Sequence, residues 1–203
     1  MNWSTLSIMR LEVLLTFMVL YQLIADLSEK ENKRAVINFT IIFFAIITII
    51  GLFPSENTTL FGSMYINDEL RIFLKNILNV STLIVLLQST GWLNKPENQS
   101  KTGAFYLLIF STLIGMYFMI SAGDFLMLYL GLELATLPLT ILAAFDKNLR
   151  RSAEAGIKLL MSSAVSSAVL LFGLSLMYGV YGTLHFSEMA LLTDASTLSV
   201  MAL

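Results

Sequence analysis

Six apolar runs, most of them near the length of a bilayer crossing, constrain this chain more than any other feature. They cover 11–25, 35–53, 72–93, 104–122, 125–145 and 155–181. An α-helix rises about 1.5 Å per residue, so roughly 20 apolar residues cross a hydrocarbon core about 30 Å thick. Within lipid the backbone must satisfy its own amide and carbonyl groups, and a helix does so inside one segment. The short alternating runs of membrane strands are absent. The pattern predicts an all-α, polytopic transmembrane helix bundle of about six helices, with residues 1–203 forming a single transmembrane domain. The first run has no basic leader, and no small-residue cleavage site follows it. It is therefore expected to be a retained helix and not a signal peptide.

Composition excludes other classes. Apolar residues make up 57% of the chain and charged residues 13%, with a mean hydropathy of +0.79. A soluble domain carries about 25% charged residues. The net charge is −2, and no basic patch interleaves with aromatics, so nucleic acid is not an expected partner. The absence of cysteine excludes disulfides, thiolate-bound metals and iron–sulfur clusters, and a lone His185 excludes a multi-histidine metal or haem site. No phosphate loop, dinucleotide fingerprint or Ser-His-Asp set is present. No cofactor or metal is expected in this chain, and any chemistry falls to the few ionisable groups within the apolar runs.

Lysines and arginines give an orientation. With the N-terminus outside, the inner loops hold Lys30, Lys33, Arg34, Lys95, Lys101, Lys147, Arg150 and Arg151, whereas the outer segments hold Arg10 and Arg71. That positive-inside bias places both ends of the chain on the non-cytoplasmic side. Asp124, in the short turn after the fourth run, suits the N-cap of the fifth helix.

Glu133 is the strongest candidate for chemistry. It lies in Leu130-Gly131-Leu132-Glu133-Leu134, about 12 Å from the outer end of its run and about 18 Å from the inner end. A charge at such depth costs about 2.5–3.5 kcal/mol on insertion scales, and such groups face a protein interior or a hydrated cavity. That makes it a site for reversible proton uptake; the bland alternative is a protonated acid that joins helices. Pro138, five residues on, removes an amide donor and predicts a helix bend, although proline is also simply common in membrane helices. Lys158, about two turns into the sixth helix, either faces inward as a second proton-transfer group or snorkels to the interface. A direct ion pair with Glu133 is not expected from their depths.

The remaining polar residues have ordinary readings. Arg71 and Lys75 are expected to be snorkelling anchors near the outer side, and the first run extends back to Leu6 if Arg10 and Glu12 sit at the interface. Asn76 and Asn79 suit bonds to neighbouring helices. Ser162/Ser166 and Ser163/Ser167 suit close helix packing. Trp3 and Trp92 suit interfacial belts, and His185 receives no role.

The segment Met127-Leu128-Tyr129-Leu130-Gly131-Leu132-Glu133-Leu134-Ala135-Thr136-Leu137-Pro138-Leu139 resembles helix five of the antiporter-like subunits of respiratory complex I, within them the branch of subunit N. Arg151-Ser152-Ala153-Glu154-Ala155-Gly156-Ile157-Lys158, then Leu176-Met177-Tyr178-Gly179 and Gly182-Thr183, fit the same family. The strong similarity covers about Gly115 to Thr183, and Glu12 and Asp26 fall where the family often has acids. The resemblance implies a fold of about fourteen helices built on inverted repeats, of which this chain matches the N-terminal part. It implies proton transfer through Glu133 and Lys158, with a partner lysine on helix seven that lies beyond Leu203, so the chain is expected to be a fragment. It also implies no redox cofactor here, with NADH, flavin, iron–sulfur clusters and quinone handled by other subunits. The expected setting is a bacterial inner membrane, with the other complex I membrane subunits, lipid and protons as partners. Two readings stay open beside it: a subunit of a related multisubunit cation/proton antiporter or membrane-bound hydrogenase, and a structural membrane scaffold without transport.

Overall fold

The computed structural model describes residues 7–27, 33–54, 57–146 and 149–190. Trp3, Lys30 and Lys147 lie outside the described residues, as do 191–203. The described chain forms six long helices: α1 (Arg10–Leu27), α2 (Lys33–Gly51), α3 (Glu69–Leu93), α4 (Thr102–Ser121), α5 (Phe125–Ala143) and α6 (Arg150–Tyr181). A four-residue helix, α7 (Phe186–Met189), follows. Five of the six, α2 to α6, are long and apolar enough to cross a membrane. The first, α1, holds Arg10, Glu12 and Asp26 within 18 residues.

Each predicted run thus becomes one helix, with shifted ends. Helix α3 begins at Glu69, three residues before its apolar run, because the Asp68 carboxylate accepts the Arg71 amide at 2.8 Å. Helix α6 begins at Arg150, where polar residues that hydropathy leaves out extend it by more than a turn, to 32 residues. At about 1.5 Å per residue that helix is about 48 Å long and exceeds the hydrocarbon thickness. Gly182 ends it in the left-handed conformation, φ 68°, with its amide returned to the Tyr178 carbonyl.

Asp124 caps α5 as expected: its side chain accepts the Met127 amide at 2.7 Å. Asp124→Ala is expected to cost about 0.5–2 kcal/mol, the usual loss for an N-cap. Thermal unfolding of the detergent-solubilised subunit measures it, and no change would show that the cap is redundant.

A short hairpin lies between two of the helices, outside the six apolar runs. Strands β1 (Thr58–Leu60) and β2 (Tyr65–Asn67) form an antiparallel hairpin between α2 and α3, pairing Thr59 with Ile66. Three-residue strands are too short to register as an alternating run. The turn holds Phe61, Gly62 and Ser63 all at positive φ, a conformation that is free of strain only at the glycine. The hairpin is tied down on the turn between α4 and α5. The Gly123 amide donates to the Met64 carbonyl at 2.7 Å. A side chain at Gly123 would meet the Ser63 carbonyl oxygen, since a Cβ there would lie 1.9 Å away.

Helix α4 is the centre of the bundle. It packs against α5 and α1 more extensively than any other helices meet. Its buried Tyr106, Phe110, Leu113 and Tyr117 join Leu11, Leu15 and Met18 of α1, Ile37, Phe44 and Ile47 of α2, and Leu86 and Leu93 of α3 in one core. In contrast, α6 exposes Ile157, Met161, Val165, Val169 and Phe172.

Candidate functional site

Glu133 sits half-buried on α5, two residues after Gly131 and two before Ala135. Those small residues form the face that meets α4. A Cβ built at Gly131 lies 2.7 Å from the Met119 amide nitrogen, and one at Gly115 lies 2.3 Å from the Ala135 amide nitrogen. Backbone meets backbone there. Two residues along a helix turn the direction by about 200°, so Glu133 belongs to a different face from the one packed on α4. Its Oε1 is buried and has no hydrogen-bond partner among the described residues. An unpartnered buried carboxyl oxygen is costly, and it leaves a lone pair free to accept a proton.

Pro138 is buried in α5, and the helix runs continuously across it from Phe125 to Ala143. Side chains on both sides bond back to the backbone: the Thr136 hydroxyl donates to the Glu133 carbonyl at 3.4 Å, and the Thr140 hydroxyl to the Thr136 carbonyl at 2.9 Å. Such bonds accompany a proline within a membrane helix.

Lys158 does not meet Glu133. Its side chain is 74% exposed on α6, and its ammonium donates to Glu154 at 2.6 Å, one turn earlier on the same helix. An acid one turn N-terminal to a lysine is the favourable order, worth about 0.3–0.5 kcal/mol at an exposed position. Lys158→Gln is therefore expected to leave the stability of the solubilised chain within about 0.5 kcal/mol of the native value. A larger loss in a thermal melt would mean that Lys158 is held by more than Glu154.

A cavity of about 1020 Å³ opens between α4, α5 and α6, lined among others by Asp26, Lys101, Leu137, Thr140, Asp146 and Gly156. Lys101 and Asp146 stand 3.6 Å apart on it. It starts one turn beyond Glu133, at Leu137. Among the described residues, no group of three or more His, Cys, Asp or Glu could hold a metal ion.

The residue type that the sequence hides most is the paired charge at the other end. Lys75 is not a snorkelling anchor. It is 2% exposed, and its ammonium donates to Glu12 Oε1 at 2.5 Å and to the Tyr65 hydroxyl at 3.0 Å. Glu12 is likewise not interfacial: it is 4% exposed on α1, and the Tyr65 hydroxyl donates to it at 2.8 Å. Arg71 is part-buried, bonded to Asp68 and donating to the Ile120 carbonyl at 2.9 Å. Burial and the neighbouring Glu12 carboxylate push the Tyr65 hydroxyl well above the ordinary phenol range. The sequence carries only an indirect signal. Glu12 and Lys75 are opposite charges near the outer ends of two apolar runs, at depths where each can find the other.

Other expectations resolve individually. Asn76 and Asn79 do bond to neighbours: Asn76 donates to the Gly51 carbonyl at 2.9 Å, and the Tyr117 hydroxyl donates to Asn79. Ser167 faces the protein at 8% exposure, whereas Ser166 is exposed and bonds the Ser162 carbonyl of its own helix. Trp92 packs against Phe105 and Phe145. His185 pairs its backbone with Asp124 in an isolated bridge.

Comparison with known proteins adds an independent view. A family model described as "NADH:quinone oxidoreductase/Mrp antiporter, TM" matches residues 122–203. The chain is similar to NADH-quinone oxidoreductase subunit N of Azobacteroides pseudotrichonymphae, 44% identical over 90% of this chain and 38% of the relative. It is 40% identical to subunit N of Phocaeicola vulgatus over 100% of this chain and 43% of the relative. The chain thus spans roughly two fifths of the length of these relatives. Among solved structures, its fold matches a chain of respiratory complex I from Thermus thermophilus with a TM-score of 0.72 at 20% identity, covering 95% of this chain and 41% of that one. It also matches a chain of an archaeal membrane-bound sulfane sulfur reductase with a TM-score of 0.68 at 17% identity, covering 98% and 42%.

Proposed function

We propose that this chain, which is similar to the subunit N proteins of NADH-quinone oxidoreductase, forms part of a proton-translocating subunit of that kind in a respiratory complex. The observation that carries the reading is Glu133: an acid within a membrane helix, with a buried oxygen that nothing among the described residues satisfies. Its face of α5 is free of α4, so a cation on a further helix can approach it. Moving such a cation toward or away from Glu133 changes its proton affinity, and the proton passes on when the balance reverses. Lys158 is the second proton-transfer group of this reading. Its place on the exposed side of α6 lets it change partners from Glu154 to a group beyond this chain.

Electron transfer belongs to other subunits in this proposal. NADH, flavin, iron–sulfur clusters and quinone are bound there, and coupling reaches this chain through the neighbouring membrane subunits. The setting is a bacterial inner membrane, with the N-terminus on the non-cytoplasmic side as the lysine and arginine distribution requires. Pro138 gives α5 a weak point one turn beyond Glu133, where the helix can bend as the acid changes charge.

The likeness to the sulfane sulfur reductase supports a second reading, in which the same bundle serves another respiratory membrane complex or a cation/proton antiporter. Purification from native membranes with a tag on this subunit separates the two. Recovery of NADH-oxidising subunits, with NADH-driven proton uptake into vesicles that is lost when the gene is deleted, supports the first. Recovery of hydrogenase-like or antiporter subunits without NADH oxidation refutes it.

A further inference from the structure

The pair at the other side of α4 has a chemistry of its own. We propose that Glu12 and Lys75, with the Tyr65 hydroxyl between them, form a second proton-exchange site at the outer end of the bundle. The inference rests on the proton-translocation reading and adds a site to it.

Both side chains are buried, at 2% for Lys75 and 5% for Glu12. In the Arg71–Asp68, Lys101–Asp146 and Lys158–Glu154 pairs, by contrast, every partner is at least 24% exposed. Apolar side chains of the same volume would pack this position at least as stably, so packing alone gives no reason for two charges. Arg71 and Arg10 do not compete for the carboxylate. Arg71 is bound to Asp68 and the Ile120 carbonyl, and Arg10 donates to the Phe53 carbonyl.

The geometry suits proton movement. Lys75 Nζ, the Tyr65 hydroxyl and Glu12 Oε1 form a closed triangle with sides of 2.5, 2.8 and 3.0 Å. A proton that crosses from Nζ to Oε1 turns an ammonium and a carboxylate into an amine and a carboxylic acid. No net charge appears, and no large motion is needed. Without water to solvate the ions, the neutral pair approaches the ion pair in energy. Glu12 Oε2 is buried with no partner among the described residues, which suits a water that delivers or removes the proton.

A polar track leads away from the pair. Asn79, one turn beyond Lys75, and Ser121 and Tyr117, one turn apart on α4, are all fully buried. Among the described residues Asn79 Nδ2 has no partner, the Ser121 hydroxyl stands beside that of Tyr65, and the Tyr117 ring lies 5.5 Å from the Lys75 ammonium. Buried open donors and acceptors in a row are where ordered water collects. The track is separate from Glu133, because α4 stands between: Tyr117 faces Lys75, whereas Gly115 faces α5.

The test uses the complete complex in sealed membrane vesicles, with proton uptake per NADH oxidised as the readout and subunit levels checked in parallel. The variants are the double change Glu12→Gln with Lys75→Met, Tyr65→Phe alone, and Glu133→Gln. The double variant leaves no unpaired charge, so it is expected to assemble. Its uptake per NADH is expected to fall at native subunit levels, and Tyr65→Phe to lower it in the same direction. Native uptake in an assembled double variant overturns the proposal and makes the pair structural. If the double variant does not assemble, Tyr65→Phe decides: it keeps the ring and both charges, and a native ratio there overturns the proposal equally. If Glu133→Gln lowers the ratio while the others do not, only this inference fails. If all remain native, the proton-translocation reading fails with it.

Discussion

In a complex that carries Glu133→Gln, proton uptake per NADH is expected to fall while the subunit still assembles. Glutamine has nearly the same volume as glutamic acid, so the contacts of α5 with α4 through Gly131 and Ala135 are unchanged. What is lost is the exchangeable proton. Removing a group that donates or accepts a proton slows the step it serves by about 10²- to 10⁴-fold, so the proposed transfer through this subunit is expected to stop on the time scale of turnover. Glu133→Asp sharpens the result. It keeps the acid but draws it back by about 1.5 Å, the length of one methylene. Partial uptake is expected, because proton transfer depends on donor–acceptor distance. NADH-driven uptake in vesicles, normalised to assembled complex, gives both values. Native uptake in Glu133→Gln would reassign the acid to helix joining and leave the bundle as scaffold.

The spans of the helices were legible because lipid leaves few alternatives: every run that had to cross became one helix. Their ends were less so. Helices α3 and α6 begin in polar residues, where a cap or a solvent-facing turn sets the start and hydropathy carries no signal. The hairpin 58–67 was hidden for a related reason. Its three-residue strands are held by the turn at Ala122 and Gly123, not by their own pattern.

Charges within the runs divided by what they meet. For Glu133, depth in its run predicts an acid kept from water, and in the fold the residue is half-buried with Oε1 buried. Lys75 was misread because a lysine one or two turns from a helix end has two outcomes, snorkelling or pairing. Only the fold brings Glu12, 63 residues away, to its ammonium. Lys158 is the reverse case. Its depth on α6 resembles that of Lys75 on α3, yet it lies on the exposed side and pairs with its own helix. Depth fixes the cost of a charge, whereas the identity of the neighbour decides its role.

The position of Glu133 depends in turn on two glycines that carry no charge. Gly115→Val is expected to separate α4 from α5 and to lower the level of assembled subunit severely. A Cβ at residue 115 lies 2.3 Å from the Ala135 amide nitrogen and 2.7 Å from the Leu134 carbonyl carbon. Both are backbone atoms of a helix, so neither can swing away as a side-chain end would. The whole helix must move. Small residues that let membrane helices approach this closely supply packing that lipid alone does not. Overpacking a tight contact costs about 1–3 kcal/mol even where side chains can adjust, and here they cannot. Gly91→Ala on α3 is the control: nothing lies within 4 Å of its Cβ. Alanine there should be neutral or stabilising by up to about 1 kcal/mol, because it favours the helix. Subunit levels in the membrane and thermal melts in detergent compare the two. Equal behaviour would mean that α4 and α5 slide past the added side chain, and then Glu133 is not fixed by this contact. A large loss at Gly115 alone makes the glycine contact what holds the acid at its depth, with α4 as the wall between it and the Glu12–Lys75 pair.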